Sequence, residues 1–263
     1  MQNQQYKTSM LKEDSLRDKV IVITGGGTGL GKAMGKYFVE LGADLIIASR
    51  KTDVLEATAK ELSEINGGNI LPVQCDVTDY SSVENLLKIS IDKFGRVDVL
   101  INNAGIIRDN VIWKMPVEDF DKVIDINLKG TWLMCKVAGT LMREQKSGRI
   151  VNIASRAWLG NRGQSNYSAS KAGVVGLTRV LALELGKYGV FVNAVAPGLI
   201  DTPLTQNLPK DIQEKLIQAQ PTKSIGQPQD IANTVAFLCN EKTQFITGQT
   251  IYVDGGKSIG AGI

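Results

Sequence analysis

Lys19-Val-Ile-Val-Ile-Thr24 runs directly into Gly25-Gly-Gly-Thr-Gly-Leu-Gly31, and the reading of that junction decides the fold. A short β-branched run ending in glycine has the length and flanks of a buried strand. The next ten residues, 32–41, space Ala33, Tyr37, Phe38 and Leu41 along one helical face. The turn between them is glycine where geometry asks for it. Gly25 permits a sharp strand-to-helix reversal, Gly29 lets backbone approach a pyrophosphate, and Gly31 lets the helix pack against the strand. Free N–H groups and the partial positive charge of the helix N-terminus suit phosphate oxygens. Gly25, Gly27, Thr28, Gly29 and Leu30 are therefore the candidate phosphate contacts. A glycine string alone is often only a flexible turn; its place between strand and helix favours a nucleotide.

Working outward, similar apolar runs recur at 43–49, 70–77, 97–105, 148–155, 190–198 and 249–256. Helical spacing fills the gaps, as with Leu55, Ala59 and Leu62, or Val83, Leu86, Leu87 and Ile91. Buried strands alternating with helices predict an α/β, doubly wound Rossmann fold: a parallel sheet covered on both faces. No repeat or composition break divides the chain. The expected organisation is an N-terminal arm over 1–18 and one domain over 19–263. Within it, 199–225 carries Pro203, Pro209 and Pro221 and no strand pattern. That stretch is expected to form a substrate lid before a helix over 228–239.

The composition excludes much. Of 263 residues none is histidine, which removes His-based triads, HExxH metalloproteases and any His general base. Acid–base chemistry must run on Tyr, Lys, Cys or carboxylates. A net charge of +3, with cations scattered, gives no reason to expect nucleic acid. Cys75, Cys135 and Cys239 have no CxxC spacing and read as reduced, buried thiols without a metal site. No signal-peptide h-region and no run near ~20 apolar residues is present, so a cytoplasmic protein with no membrane span is expected.

The second strand ends in Ala48-Ser49-Arg50-Lys51, where NAD binders usually place a carboxylate for the ribose 2′-hydroxyl. Arg50 and Lys51 would instead pair with a 2′-phosphate, favouring NADP(H) over NAD(H), although such residues are also ordinary surface cations. Asp76, followed by Val77, closes the third strand and can accept from an adenine amino group or cap a helix, for which Asp79 is an equal candidate. Asn102-Asn103-Ala104-Gly105 closes the fourth, with small residues that let a cofactor lie on backbone. Tyr167-Ser-Ala-Ser-Lys171 puts a phenol and an ammonium on one helix face. A phenol titrates near ~10, and a neighbouring cation moves it toward the range useful for proton transfer. Ser155, ending the fifth strand, can donate to a substrate carbonyl oxygen. Asn127 can interrupt a helix and hold a water behind Lys171.

Taken together in this order, TGxxxGxG (24–31), NNAG (102–105), Asn127, Ser155, YxxxK (167–171) and Pro197-Gly198 resemble the short-chain dehydrogenase/reductase family over 16–256. The resemblance implies a seven-stranded sheet of order 3-2-1-4-5-6-7 and hydride transfer between nicotinamide and a carbonyl or secondary alcohol. It makes Tyr167 the acid/base and gives Lys171 the nicotinamide ribose and the lowering of the phenol's pKa. Ser155 orients the substrate oxygen and Asn127 serves a water relay. Asn103, Ala104, Gly105, Pro197, Gly198, Ile200 and Thr202 meet the cofactor, as do Ser49, Asp76 and Val77. The Ser-to-Tyr spacing is one residue shorter than the family's; ungapped counting would select Ala154, whereas the register from Gly148 selects Ser155. The shortened loop carries Arg156, Trp158 and Leu159; Arg156, Trp158 and the following Gln164 are expected to shape the substrate pocket, with core or subunit contact the other reading of Trp158.

GNRGQSNYSASKAG and FITGQTIYVDGG are most similar to 3-oxoacyl-thioester reductases of fatty-acid metabolism, and GGGTGLGK with IASRK to 2,4-dienoyl-CoA reductases. The intact YxxxK favours carbonyl reduction of a small molecule, an acyl thioester being the best candidate. Dienoyl reduction or another alcohol dehydrogenase is the alternative, and a silent nucleotide sensor the least favoured. The resemblance also implies a homotetramer, for which Val174, Val175, Leu177, Leu181 and Leu185 are candidates, although a core needs them equally.

Overall fold

The computed structural model describes residues 15–66 and 68–260. Seven strands form one sheet: β1 (Val20–Thr24), β2 (Asp44–Ser49), β3 (Ile70–Gln74), β4 (Val99–Asn102), β5 (Gly148–Ile153), β6 (Val190–Pro197) and β7 (Thr250–Val253). Their order is β3-β2-β1-β4-β5-β6-β7, every neighbouring pair parallel.

Alternation along the strands assigns the two faces. Ile21 and Ile23 of β1 join Met34 and Phe38 of α1 (Gly29–Glu40), Leu55 and Leu62 of α2 (Thr52–Asn66) and Val235 of α9 (Pro228–Cys239). Val20 and Val22 turn the other way, toward Val83 and Leu86 of α3 (Tyr80–Phe94) and Met134 and Met142 of α5 (Gly130–Gln145). Each such side chain fully buried is worth about 1.5–3 kcal/mol, enough to fix the register of a sheet covered on both sides. Parallel strands place all their carboxyl ends at one edge, and the order reverses between β1 and β4, which opens a crevice there.

One boundary needs correction. Most of the expected arm lies outside the described residues, but Leu16 is fully buried and its N–H donates to the Leu41 carbonyl at 3.0 Å, so the packed chain begins before residue 19. Of the two readings of the apolar residues on α6 (Ser165–Leu185), the core accounts for Val174, Val175 and Leu185, which are buried, while Leu177 and Leu181 are partly buried and pack against it. The apolar residues that α6 leaves outside are Val180 and Leu183. The proline-bearing stretch folds as two short helices, α7 (Pro203–Gln206) and α8 (Lys210–Gln218).

Candidate active site

The turn after β1 is held from both sides. Gly25 sits at φ +66°, a left-handed conformation that favours glycine, and its N–H donates to the Ala48 carbonyl at 2.7 Å. A Cβ on Gly31 would collide with the Gly25 carbonyl oxygen, so helix and turn touch through backbone alone. Thr28, the N-cap of α1, is extended and its side chain makes no capping bond. The first amides of α1 are thus left for an anion. Thr24 and Asn103 lock this arrangement to β4: Thr24 Oγ1 accepts from the Asn103 and Ala104 amides, both at 3.0 Å, and Asn103 Nδ2 donates to the Thr24 and Gly25 carbonyls. The Asn103 side chain is thereby spent on bracing the turn. A Cβ-free bend ending in uncapped amides fits a dinucleotide's phosphates.

At the outer rim Arg50 and Lys51 are exposed, just beyond Ser49, whose Oγ accepts from the Lys51 amide. Asp79 caps α3 by accepting from the Ser81 amide at 3.1 Å, which leaves Asp76 free of that duty. Asp76 Oδ1 instead accepts from the Thr78 amide and hydroxyl. Burial works to raise its pKa, but those two bonds and the Arg50 charge prevail and hold it below the usual value. The Val77 side chain lies in the core against the position of Gly130.

A cleft of about 770 Å³ opens at the carboxyl ends of β4, β5 and β6. Tyr167 and Lys171, one turn apart on α6, line it together with Ser155. Lys171 Nζ donates to the Ile153 carbonyl at 2.7 Å and lies 5.7 Å from the centre of the Tyr167 ring. Ser155 hydrogen-bonds to the phenol while its Oγ accepts from the Ala157 amide at 3.1 Å. Ala154, the ungapped alternative, has its side chain buried among Val174, Val175 and Ala194. Asn127 occupies a π-helical turn, Asp125–Lys129, between α4 (Val117–Ile124) and α5. Its amide pairs with the backbone of Ile106, accepting at 2.8 Å and donating at 3.0 Å, and its Nδ2 also donates to Ser170 Oγ. Pro197, Gly198, Ile200 and Thr202 line the opposite wall.

The expected lowering of the phenol's pKa by Lys171 is not what the chain alone produces. Burial pushes the Tyr167 phenol up; the Ser155 bond offsets part of this, and the Asp109 charge adds to the rise. Burial also pulls Lys171 down to about 8. A low-dielectric pocket disfavours both charged forms.

Of the candidate pocket residues, Arg156 and Gln164 line the cleft, Gln164 with its Nε2 donating to both carboxylate oxygens of Asp109. Trp158 does not. It stacks on Tyr252, centroids 6.5 Å apart, and faces a separate hollow between α6 and β7 that Arg179 and Leu183 also line. The 3-10 turn Arg156–Leu159 rotates it away from Ser155.

Asn102, whose position at the end of β4 lets it bridge strands, is joined by supporting residues that the sequence did not single out, Asn152, Thr178 and Asn166. Asn102 Nδ2 donates to Asn152 Oδ1 at 2.8 Å, and Asn152 Nδ2 to Thr178 Oγ1 at 2.9 Å, a buried polar chain from β4 through β5 to α6. Asn166 Nδ2 donates to the Arg108 carbonyl at 2.8 Å and fixes the start of α6. The one available signal was Asn152, a polar residue inside an otherwise apolar strand. Among the described residues no cluster of His, Cys, Asp or Glu could hold a metal, and no helix is long and apolar enough to cross a membrane.

Residues 25–258 match a family described as enoyl-(acyl carrier protein) reductase. The chain is 46% identical over 247 residues to the (2S)-[(R)-hydroxy(phenyl)methyl]succinyl-CoA dehydrogenase subunit BbsD of Thauera aromatica, covering 94% of this chain and 99% of that one. It is 44% identical to a 3-oxoacyl-[acyl-carrier-protein] reductase of Synechocystis sp., covering 92% and 98%. The crystal structure of levodione reductase superimposes with a TM-score of 0.89 at 38% identity, over 92% of this chain and 98% of that one.

Proposed function

The chain belongs to the short-chain dehydrogenase/reductase family, and from that premise we propose that it is an NADPH-dependent ketoreductase of acyl thioesters, reducing a 3-oxo group to a secondary alcohol. What supports this is the meeting of Tyr167, Ser155 and Lys171 in one cleft beside the uncapped start of α1. When bound, the reduced nicotinamide supplies the hydride that adds to the carbonyl carbon. The chain's residues handle the oxygen. The Tyr167 hydroxyl gives its proton to the carbonyl oxygen as the C=O π-pair becomes an O–H bond. Ser155 orients that oxygen, and its Oγ is itself aimed by the Ala157 amide. Lys171, anchored on the Ile153 carbonyl, presents its ammonium to the nicotinamide ribose and replenishes the phenol's proton. Asn127, by bracing Ile106 against α6, keeps the path behind Lys171 in register for a water relay.

Arg50 and Lys51, with no carboxylate at the end of β2, support NADPH over NADH. The neighbouring helices α7 and α8 bring Leu204 and Leu216 to the cleft, as a lid over an acyl chain would. Assembly as a cytoplasmic homotetramer belongs to the same reading, with Val180 and Leu183 on the exposed side of α6.

The matched family description names carbon–carbon double-bond reduction, so the decisive assay offers both chemistries. The purified protein is given NADPH with a 3-oxoacyl-CoA or a 2,4-dienoyl-CoA, and nicotinamide absorbance is followed. Turnover of the ketone alone is expected. Turnover of the dienoyl thioester with the ketone untouched overturns the reading.

A further inference from the structure

The cleft's charge is one-sided. Arg108, Arg156, Lys171 and Lys257 line it, and no Asp or Glu does. Three of these cations have evident ties. Lys171 donates to the Ile153 carbonyl, Arg108 pairs with Asp119 at 3.8 Å, and Lys257 has a partner of its own besides its backbone N–H bond to the Asp254 carbonyl. Asp109, whose charge helps to raise the phenol's pKa, has both oxygens engaged by Gln164. Arg156 differs from all of them. It is half-buried, it follows Ser155 directly in the chain, and among the described residues it has no hydrogen-bond or ion-pair partner.

A guanidinium that lines the cleft with no partner in the chain is available to an anionic group of whatever enters there. Its planar fork matches a carboxylate bidentately. We propose that Arg156 is a specificity-determining residue that binds a carboxylate on the acyl part of the substrate, a few bonds from the carbonyl oxygen that Ser155 holds. This rests on the ketoreductase reading and narrows it, from 3-oxoacyl thioesters generally to those bearing a second, anionic group on the acyl chain. Ser155 and Arg156 both line the same cleft, so a carboxylate on the guanidinium and a carbonyl on Ser155 can belong to one substrate. The 3-10 turn keeps Arg156 on the cleft side while sending Trp158 to the far hollow.

A thioester handle also carries anions, the phosphates of coenzyme A or of a carrier's pantetheine arm. The test therefore uses N-acetylcysteamine thioesters, which have none. A 3-oxoacyl thioester with a carboxymethyl branch is compared with its methyl-ester analogue, using wild type, Arg156→Gln and Arg156→Lys. Wild type is expected to prefer the free acid in kcat/KM by about 10- to 100-fold, the worth of one charge-assisted bidentate contact. Arg156→Gln abolishes that ratio through loss on the acid, and Arg156→Lys keeps part of it. A second readout needs no turnover: the free acid of the reduced product raises the melting temperature of wild type more than its methyl ester does, and that difference vanishes in Arg156→Gln. Equal rates on acid and ester in wild type, or equal loss on both in Arg156→Gln, overturns the proposal. So does a preference that appears only with coenzyme A thioesters, because the anion read is then the handle's. If the ester is reduced in a Tyr167-dependent way without any preference, this inference alone fails. If neither ketone is reduced, the ketoreductase reading fails with it.

Discussion

The two sides of the cleft are built by opposite means. The β1–α1 side is backbone: a bend of glycines, uncapped amides and a contact at Gly31 that no side chain could share. The β4–β5–α6 side is buried side chains: Asn102, Asn152 and Thr178 hydrogen-bonded in series, Asn127 clasping Ile106, and Lys171 anchored on Ile153. A phosphate needs many weak donors that approach closely, which backbone supplies at no side-chain entropy. A proton must be passed at one atom in one geometry, which calls for side chains whose rotamers are locked by their neighbours. The first side should therefore fail by losing cofactor, the second by losing rate.

Tyr167→Phe tests that division most severely. It deletes one hydroxyl and leaves the ring, so kcat should fall by about 10²–10⁴-fold, the range for a positioned general acid. NADPH should still saturate the variant in a fluorescence titration. A variant that turns over normally would remove the phenol from the mechanism.

Lys171 offers a pH-resolved break of the same side. Burial lowers its pKa from 10.5 to about 8, so below pH 8 the folded protein must carry a buried ammonium that the unfolded chain leaves in water. The group therefore costs stability in full below about pH 8, and the cost is relieved as pH rises from 8 toward 10.5. The gap corresponds to about 3 kcal/mol. Lys171→Met should be more stable than wild type at neutral pH, with the advantage shrinking toward pH 10 in chemical denaturation. An advantage constant with pH would show that the ammonium is not strained by burial.

Asn152→Ala and Gly31→Ala separate the two sides directly. The first leaves Asn102 Nδ2 and Thr178 Oγ1 without their shared partner and should cost about 1–3 kcal/mol of stability. Its kcat should fall with the loosening of α6 while cofactor affinity holds. The second drives a methyl into the Gly25 carbonyl and forces the turn to shift, at about 1–3 kcal/mol, and should weaken NADPH binding at least tenfold by about the same measure. If each variant lost the other's property, the division between backbone and side-chain construction would be wrong.

That division also explains what the sequence could reveal. The glycine turn declared itself because glycine is itself the conformational statement, and the sheet because buried parallel strands are uninterrupted apolar runs bounded by turns. Tyr167 and Lys171 were visible because a four-residue spacing places them on one face before any packing is known. Asn102 was visible at its strand end, but its partners Asn152 and Thr178 were not, since three residues on three elements share no local pattern. The Trp158 orientation depended on a 3-10 turn four residues long, and loop periodicity carries no such detail. Leu16 was missed for want of neighbours: a lone leucine in a polar stretch becomes core only when it meets Leu41.

The smallest effect lies at the outer rim, where solvent screens every charge. Arg50 is exposed and already acts on Asp76, whose carboxyl it helps to hold low. Arg50→Ala should lower the preference for NADPH over NADH by about tenfold, the worth of roughly 1.4 kcal/mol from one charge-assisted contact with a 2′-phosphate. Most of the change should appear as weaker NADPH binding, with NADH binding little altered and kcat at saturating cofactor preserved. Because the contact is exposed, the wild-type preference should itself decline as salt is added, and the variant's less so. Asp76 supplies an internal control: losing Arg50 should move its carboxyl titration upward, toward the ordinary value, in an NMR pH series. A shifted Asp76 with the cofactor preference intact would mean that Arg50 serves the rim's own electrostatics and that Lys51, or nothing on β2, reads the ribose.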